Sequence, residues 1–241
     1  MKRLLAAGSG SIYQIARVFR DDPIGRLHQP EFTMLEWYRP GFDLHDLMTE
    51  LEDLLSELGL PAARRLTYGT AFITHCGLNP HTANIEELLA AANQRGLASN
   101  EGDRSVLLDF LFSHAVAPGL GESPVFIYDY PDCQAALARI REGAPPVAER
   151  FELFLDCIEI ANGYNELTDY SKQESRFMRD NERRIQRGLK PVPLDTKLLA
   201  AMRHGLPECA GVAVGLDRLL MALQGAKRIS DVLAFPHSGL E

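Results

Sequence analysis

Ser11-Ile-Tyr-Gln-Ile-Ala-Arg-Val-Phe-Arg20, a polar loop from Asp21 to Pro30, and Glu31-Phe-Thr-Met-Leu-Glu-Trp-Tyr38 decide how this chain is read. β-Branched and aromatic residues dominate both flanks, which predicts two strands. The return strand begins at Glu31 or Phe32 and is stopped by Pro40, and Pro23, Gly25 and Pro30 punctuate the loop between. The three pieces form a long antiparallel hairpin. Its ten-residue loop exceeds the ordinary hairpin connection, and loops of that kind commonly carry function. Strand alternation places Phe32, Met34, Glu36 and Tyr38 on one face.

Working outward, Leu44, Leu47, Met48, Leu51, Leu54, Leu55 and Leu58 recur with helical spacing, between Asp43 as N-cap and Gly59 as stop. Asn84-Ile-Glu-Glu87 has the form of a capping box opening a helix to Arg95. A further helix is expected over 103–116 and a short strand from Val125 to Tyr128. Phe151 to Ile160 is largely apolar on both alternating faces and reads as one strand buried on both sides. Residues 170–187 read as a solvated helix. Ala210 to Val214 reads as a strand of small residues, followed by Gly215 and a helix Leu216–Leu223 that stops at Gly225. The order is mixed, so the expected fold class is α+β, helices around an antiparallel sheet.

The 241 residues are 46% hydrophobic and 24% charged, an ordinary globular composition that excludes a mainly disordered chain. No apolar run approaches ~18 residues, so no membrane span is expected, and the first residues lack a signal-peptide core. Cys76, Cys133, Cys157 and Cys209 lie far apart with no CxxC, which argues against a zinc site or disulfide framework and for a reducing cytoplasm. Seven histidines show no HxxxH spacing. Net charge is −8, against a general nucleic-acid binder, yet residues 1–40 carry a local balance of +2, which suits a small anion such as a nucleotide phosphate.

Four segments hold candidate chemistry. Arg20 closes the first strand beside a loop with Arg26 and His28, and its planar fork of donors matches a phosphate. Phe32 offers a face on which a purine can stack. Glu36 and Tyr38 share a strand face and offer a carboxylate and a phenol to an ammonium group, whereas Trp37 belongs to the core. Glu159-Ile-Ala-Asn162-Gly163-Tyr-Asn-Glu166 ends an apolar row in an acid, which is costly unless that acid is paired or metal-bound. A sharp turn at Gly163 would bring Glu166 back toward Glu159 to hold Mg²⁺ on a triphosphate. Gly211-Val-Ala-Val-Gly215-Leu-Asp217-Arg218 places a cation in a first helical turn, where it opposes the helix dipole unless it holds an anion. Each also has a plain structural reading: surface arginines, a core phenylalanine, and a strand-end acid bonded to backbone.

Together these segments resemble the class II aminoacyl-tRNA synthetases in their lysyl form. Phe19-Arg20-Asp21-Asp22 with His28-Gln-Pro-Glu31-Phe32-Thr-Met-Leu-Glu36-Trp-Tyr38 is similar to motif 2, and Gly211 to Arg218 is similar to motif 3. The resemblance is greatest to the lysyl-tRNA synthetase paralogues that modify elongation factor P, on three features: Glu36-Trp-Tyr38-Arg39-Pro40, the compact Gly188-Leu-Lys-Pro-Val-Pro-Leu-Asp195 connection, and Ala213 where lysyl-tRNA synthetases usually carry glycine.

The resemblance implies an ATP-dependent, AMP-forming ligase with ATP and Mg²⁺. Arg20 would hold the α-phosphate and Arg218 the γ-phosphate, with Phe32 on adenine. Asp22, Gln29, Ile160 and Gly215 would complete the nucleotide site, and Glu159 and Glu166 the metal. Glu36, Tyr38, Asn162, Glu166 and Ala213 would receive lysine or (R)-β-lysine. Asp22 stands where the family has glutamate and Gln29 where it has asparagine. The acceptor implied is a lysine of elongation factor P, with no tRNA, no membrane partner, a cytoplasmic location and a homodimer. Residues 1–241 would form one catalytic core, short at its N-terminus and lacking the motif 1 region. Two other readings stay open: a lysyl-tRNA synthetase core acting on tRNA, and an inactive binding module that keeps the fold.

Overall fold

A computed structural model describes residues 1–21, 23–98 and 101–237. In chain order the elements are α1 (Lys2–Ala6), β1 (Ile12–Phe19), β2 (Glu31–Pro40), α2 (Leu44–Glu57), β3 (Arg64–Thr67), α3 (Tyr68–Cys76), α4 (Ile85–Asn93) and α5 (Arg104–Leu111), which a π-helical turn, Phe112–Val116, extends. There follow β4 (Val125–Pro131), β5 (Ile140–Arg141), β6 (Val147–Leu155), β7 (Ile158–Asn165), α6 (Tyr170–Gln186), α7 (Thr196–Gly205), β8 (Cys209–Gly215) and α8 (Leu216–Gln224). No helix among the described residues is long and apolar enough to cross a membrane.

The strands form one sheet in the order β1-β2-β8-β7-β6-β4-β3, with β5 beside β6. Every pair is antiparallel except β3 with β4. The expected α+β class and the β1–β2 hairpin are both present. Local chemistry sets the helix ends as anticipated: Asp43 and Asn84 each form a capping box, and Gly225 ends α8 in the left-handed conformation.

Residues 151–160 depart from the expected single strand. The chain reverses at Asp156 and Cys157, which adopt φ of 50° and 59°, so Phe151–Leu155 closes β6 and Ile158 opens β7. Two consecutive positive-φ residues make the tight turn whose twist suits a hairpin. Neither is glycine or asparagine, so no ordinary turn residue marks the reversal inside a largely apolar run. Gly163 makes no turn either. It lies inside β7, and a Cβ there would stand 2.4 Å from the Phe151 ring, so the glycine answers to packing between strands.

The two faces of the sheet differ in cover. Leu35, Trp37, Phe151, Leu153, Ala161, Val212 and Val214 face α2, whose Leu44, Leu47, Met48, Leu51 and Leu55 are buried against them. The opposite face is covered by α3, α4 and α5 only over β4 and β6. Over β2, β8 and β7 that second face opens into a cavity.

Candidate active site

Register places the site's side chains. Glu36 pairs with Ala213, Ala213 with Asn162, and Asn162 with Glu152, so all four lie on the open face. Tyr38, Gly211, Tyr164 and Arg150 form the next row, and Met34 pairs with Gly215. Between β6 and β7 the register shifts: Leu153 pairs with Ala161 but Phe154 with Glu159, leaving Ile160 as an extra residue. Such a bulge reverses the alternation beyond it. It therefore turns Glu159 to the same face as Asn162, and leaves Ile160 buried with only its border on the cavity.

One cavity is lined by Arg20, His28, Gln29, Phe32, Glu159, Ile160, Asn162, Tyr164, Ala213, Gly215, Asp217 and Arg218. The two guanidinium groups, 198 positions apart in sequence, thus share one space. The 21–30 loop is tied down over it. Arg20 N–H donates to the Pro30 carbonyl at 2.9 Å, extending the hairpin, and Gly25 N–H donates to the His28 carbonyl. Ile229 N–H donates to the Arg26 carbonyl, and His237 N–H to Gln29 Oε1 at 2.9 Å. Gln29 is buried, so it anchors the loop while it borders the cavity.

Arg20 lies over the Phe32 ring, 5.5 Å from its centroid. Arg218 spans loop and strand: it donates to the Leu27 carbonyl at 3.2 Å and the Glu159 carbonyl at 3.0 Å, sits 2.9 Å from His28 Nε2, and has Glu159 Oε2 at 3.6 Å. Asp217 accepts from Thr33 N–H at 2.6 Å, pinning the start of α8 to β2. At Gly215 a Cβ would find no protein atom closer than 3.7 Å, so the protein's own packing does not demand the glycine. The missing side chain leaves room in the cavity for a ligand to lie against backbone. Asp22 falls outside the described residues.

The acids divide into two groups, against the expected pairing of Glu159 with Glu166. These residues bracket β7 and stand roughly 20 Å apart at ordinary strand rise. Beside Glu159 stands Glu152, which sequence reading passed over. Arg150 bonds Glu152, and Asn162 donates to it at 3.2 Å. Removal from water first and Glu152 second push the Glu159 carboxyl up to about 7, with Arg218, Arg150 and Arg20 pulling it down. Its side chain keeps 41% exposure, and that contact with water moderates the desolvation. Among the described residues no group of three or more acids, histidines or cysteines forms a metal cage. Two facing carboxylates nevertheless fit Mg²⁺, which is bound by one or two carboxylates together with substrate phosphates. The pair that fits is Glu159 with Glu152, because Glu166 is too distant to join it.

At the other end, Tyr38 donates to Glu36 Oε1 at 2.6 Å. Burial, and then Glu166 and Glu36, hold the Tyr38 hydroxyl protonated well above the ordinary phenol range. Glu166 is 1% exposed and its Oε2 lies 2.5 Å from Lys2 Nζ. Burial pushes its carboxyl up and Lys2 pulls it back. Glycine is required at 211, where a Cβ would stand 2.4 Å from the Tyr38 ring and 3.0 Å from Glu166 Oε1. Between the two ends, the buried Asn162 Oδ1 has no hydrogen-bond partner among the described residues, an acceptor available to a ligand. Glu152, Tyr164 and Lys2 are therefore site residues that strand and loop reading missed. The one signal for Glu152 was a charge inside the apolar run Phe151-Glu-Leu-Phe154.

Residues 1–239 match the family described as tRNA synthetases class II (D, K and N). The chain is 50% identical to the elongation factor P–(R)-β-lysine ligase of Yersinia enterocolitica, over 98% of this chain and 74% of that protein. It is 52% identical to the protein of the same name from Vibrio parahaemolyticus, over 98% and 75%, and 50% identical to that of Pectobacterium carotovorum, over 98% and 74%. With residues 1–239 matched by that family model and relatives about half identical over nearly the whole chain, the chain belongs to the class II tRNA synthetase family.

Proposed function

We propose that the protein is an ATP-dependent ligase that activates (R)-β-lysine or lysine as its adenylate and transfers it to a lysine of elongation factor P. Enzymes of this family use ATP, generally with Mg²⁺. The observation that carries the reading is the single cavity shared by Arg20, Phe32, Glu159, Gly215 and Arg218, with the Glu36–Tyr38 pair on the same sheet face.

Adenine stacks on Phe32, and Arg20 on that ring meets the α-phosphate. Arg218, held from the far side by carbonyls of the loop and β7, meets the terminal phosphate, so the triphosphate bends across Gly215. Glu159 and Glu152 are the residues that would hold Mg²⁺, which when bound neutralises phosphate charge. Glu36, Tyr38 and Glu166 receive ammonium, and Asn162 lies between them and the nucleotide. The amino-acid carboxylate attacks the α-phosphorus, and pyrophosphate leaves. The ε-amine of the acceptor lysine then attacks the activated carbonyl, forming an amide and releasing AMP. Both steps run on positioning and on fixed charge aimed where charge develops.

The test is ATP–pyrophosphate exchange with lysine, (R)-β-lysine or no amino acid, followed by mass spectrometry of elongation factor P and acid precipitation of tRNA after incubation. Exchange that depends on the amino acid, with mass gained by elongation factor P, is expected. Exchange indifferent to either amino acid, or charging of tRNA in preference to the protein, overturns the reading.

A further inference from the structure

We propose that Lys2 is a positioning residue of the amino-acid site: it claims one oxygen of Glu166 as an internal counter-ion and leaves the other to the substrate's ammonium group. The inference rests on the amino-acid site proposed above and adds a residue to it.

Lys2 Nζ lies 2.5 Å from Glu166 Oε2, with the lysine side chain 14% exposed and the glutamate 1%. The other oxygen, Oε1, lies on the Gly211 and Tyr38 side, 3.0 Å from where a Gly211 Cβ would be. The carboxylate is thus divided, one oxygen to the protein's own cation and one to the Gly211–Tyr38 side of the sheet face. The helix that carries Lys2 is itself fastened to that side. Leu5, three positions on and so on the same helical face, is buried in a cluster with Tyr38, Met202, Leu206 and Cys209. Lys2, Glu166, Tyr38 and Glu36 therefore belong to one packed unit.

A purely structural contact would not need a charge. A buried ion pair replaced whole by apolar residues is often no less stable, although removing one partner alone strands the other. What the ammonium supplies is an ionised, oriented Glu166. Without a counter-ion, a carboxyl this deeply buried keeps its proton and loses its attraction for a cation. With Lys2 in place, Glu36, Glu166 and Lys2 together carry one net negative charge, the complement of a diamino acid whose two ammonium groups and one carboxylate sum to one positive charge.

The experiment is steady-state ATP–pyrophosphate exchange on wild type, Lys2→Met, Lys2→Gln and Lys2→Arg, varying amino acid and ATP separately, with thermal unfolding of each. For Lys2→Met the KM for the amino acid should rise roughly tenfold or more, the scale on which losing one member of a buried charge pair moves ligand affinity. The KM for ATP should stay within about twofold, because the nucleotide contacts are untouched. Lys2→Arg, which keeps the charge, should recover most of the loss. If Lys2→Met does not fold, Lys2→Gln, which is polar but uncharged, is read in its place. An amino-acid KM unchanged in the folded neutral variant overturns the proposal. So does a fall confined to kcat, or unfolding of both neutral variants at 25 °C, since the lysine is then structural only. Wild-type protein without amino-acid-dependent exchange would instead sink the proposed function, so the two failures are told apart.

Discussion

Glu159 and Glu166 are both acids at an end of β7, yet they live in different surroundings. Glu159 has been turned to the open face by a bulge, keeps contact with the cavity, and is ringed by Glu152, Arg218, Arg150 and Arg20. Glu166 is sealed, meets one lysine, and borders a phenol and a glycine. The first environment is crowded with charge and partly wet, which suits a ligand that is itself highly charged. The second is dry and nearly balanced, which suits one ammonium group. On the proposed function, a single strand therefore holds two binding ends apart at a fixed spacing, with a nucleotide and an amino acid meeting between them near Asn162 and Ala213.

That division can be tested by variants that touch one end at a time. The largest effect is expected from Arg218→Ala, which should lower kcat/KM for ATP in the exchange assay by about 10²–10³, as for removal of a charge-stabilising donor elsewhere. The amino-acid KM should move far less. Next, Glu166→Gln should raise the amino-acid KM roughly tenfold while the KM for ATP stays nearly constant. Equal effects on both substrates in either variant would mean that the two ends are not separate. Gly163→Ala is a control for the scaffold between them. Its Cβ would stand 2.4 Å from the Phe151 ring, so it should cost about 1–3 kcal/mol by overpacking, read as a fall of several degrees in the unfolding temperature.

The smallest effect concerns pH. The Glu159 carboxyl is raised in the folded protein, to about 7, so the unfolded chain releases its proton more readily. Wild type should therefore lose stability as pH rises from the ordinary carboxylate range through about 7, while Glu159→Gln should not. The difference in unfolding temperature between variant and wild type, measured without ligand, should grow from pH 5 to pH 8. Its size is limited by the water that reaches this half-exposed side chain. A difference that stays flat over that range would show that Glu159 is held ionised by the arginines instead, its titration then lying below pH 5.

Much of this arrangement was legible in the residues. The hairpin 11–40 was carried by its composition, the capping boxes at Asp43 and Asn84 by side-chain chemistry, and the grouping of Glu36 with Tyr38 by strand period. These are local properties that need no knowledge of distant neighbours. The Asp156–Cys157 turn was not legible, because two residues without glycine's freedom adopt positive φ there and the surrounding run stays apolar. Reading that run as one strand placed Glu159 at the end of a row it does not belong to, and assigned Gly163 a turn it does not make.

Composition, periodicity and motif chemistry were enough to fix the α+β class and to single out Arg20, Arg218 and the Glu36–Tyr38 pair as candidates, since each depends on residue type and short-range spacing. Which acids stand together could emerge only from strand pairing. A bulge one residue long sends Glu159 to Glu152, and burial of Leu5 brings Lys2 to Glu166 across 164 positions of chain. Long-range register and packing set those partners, and no local preference encodes them.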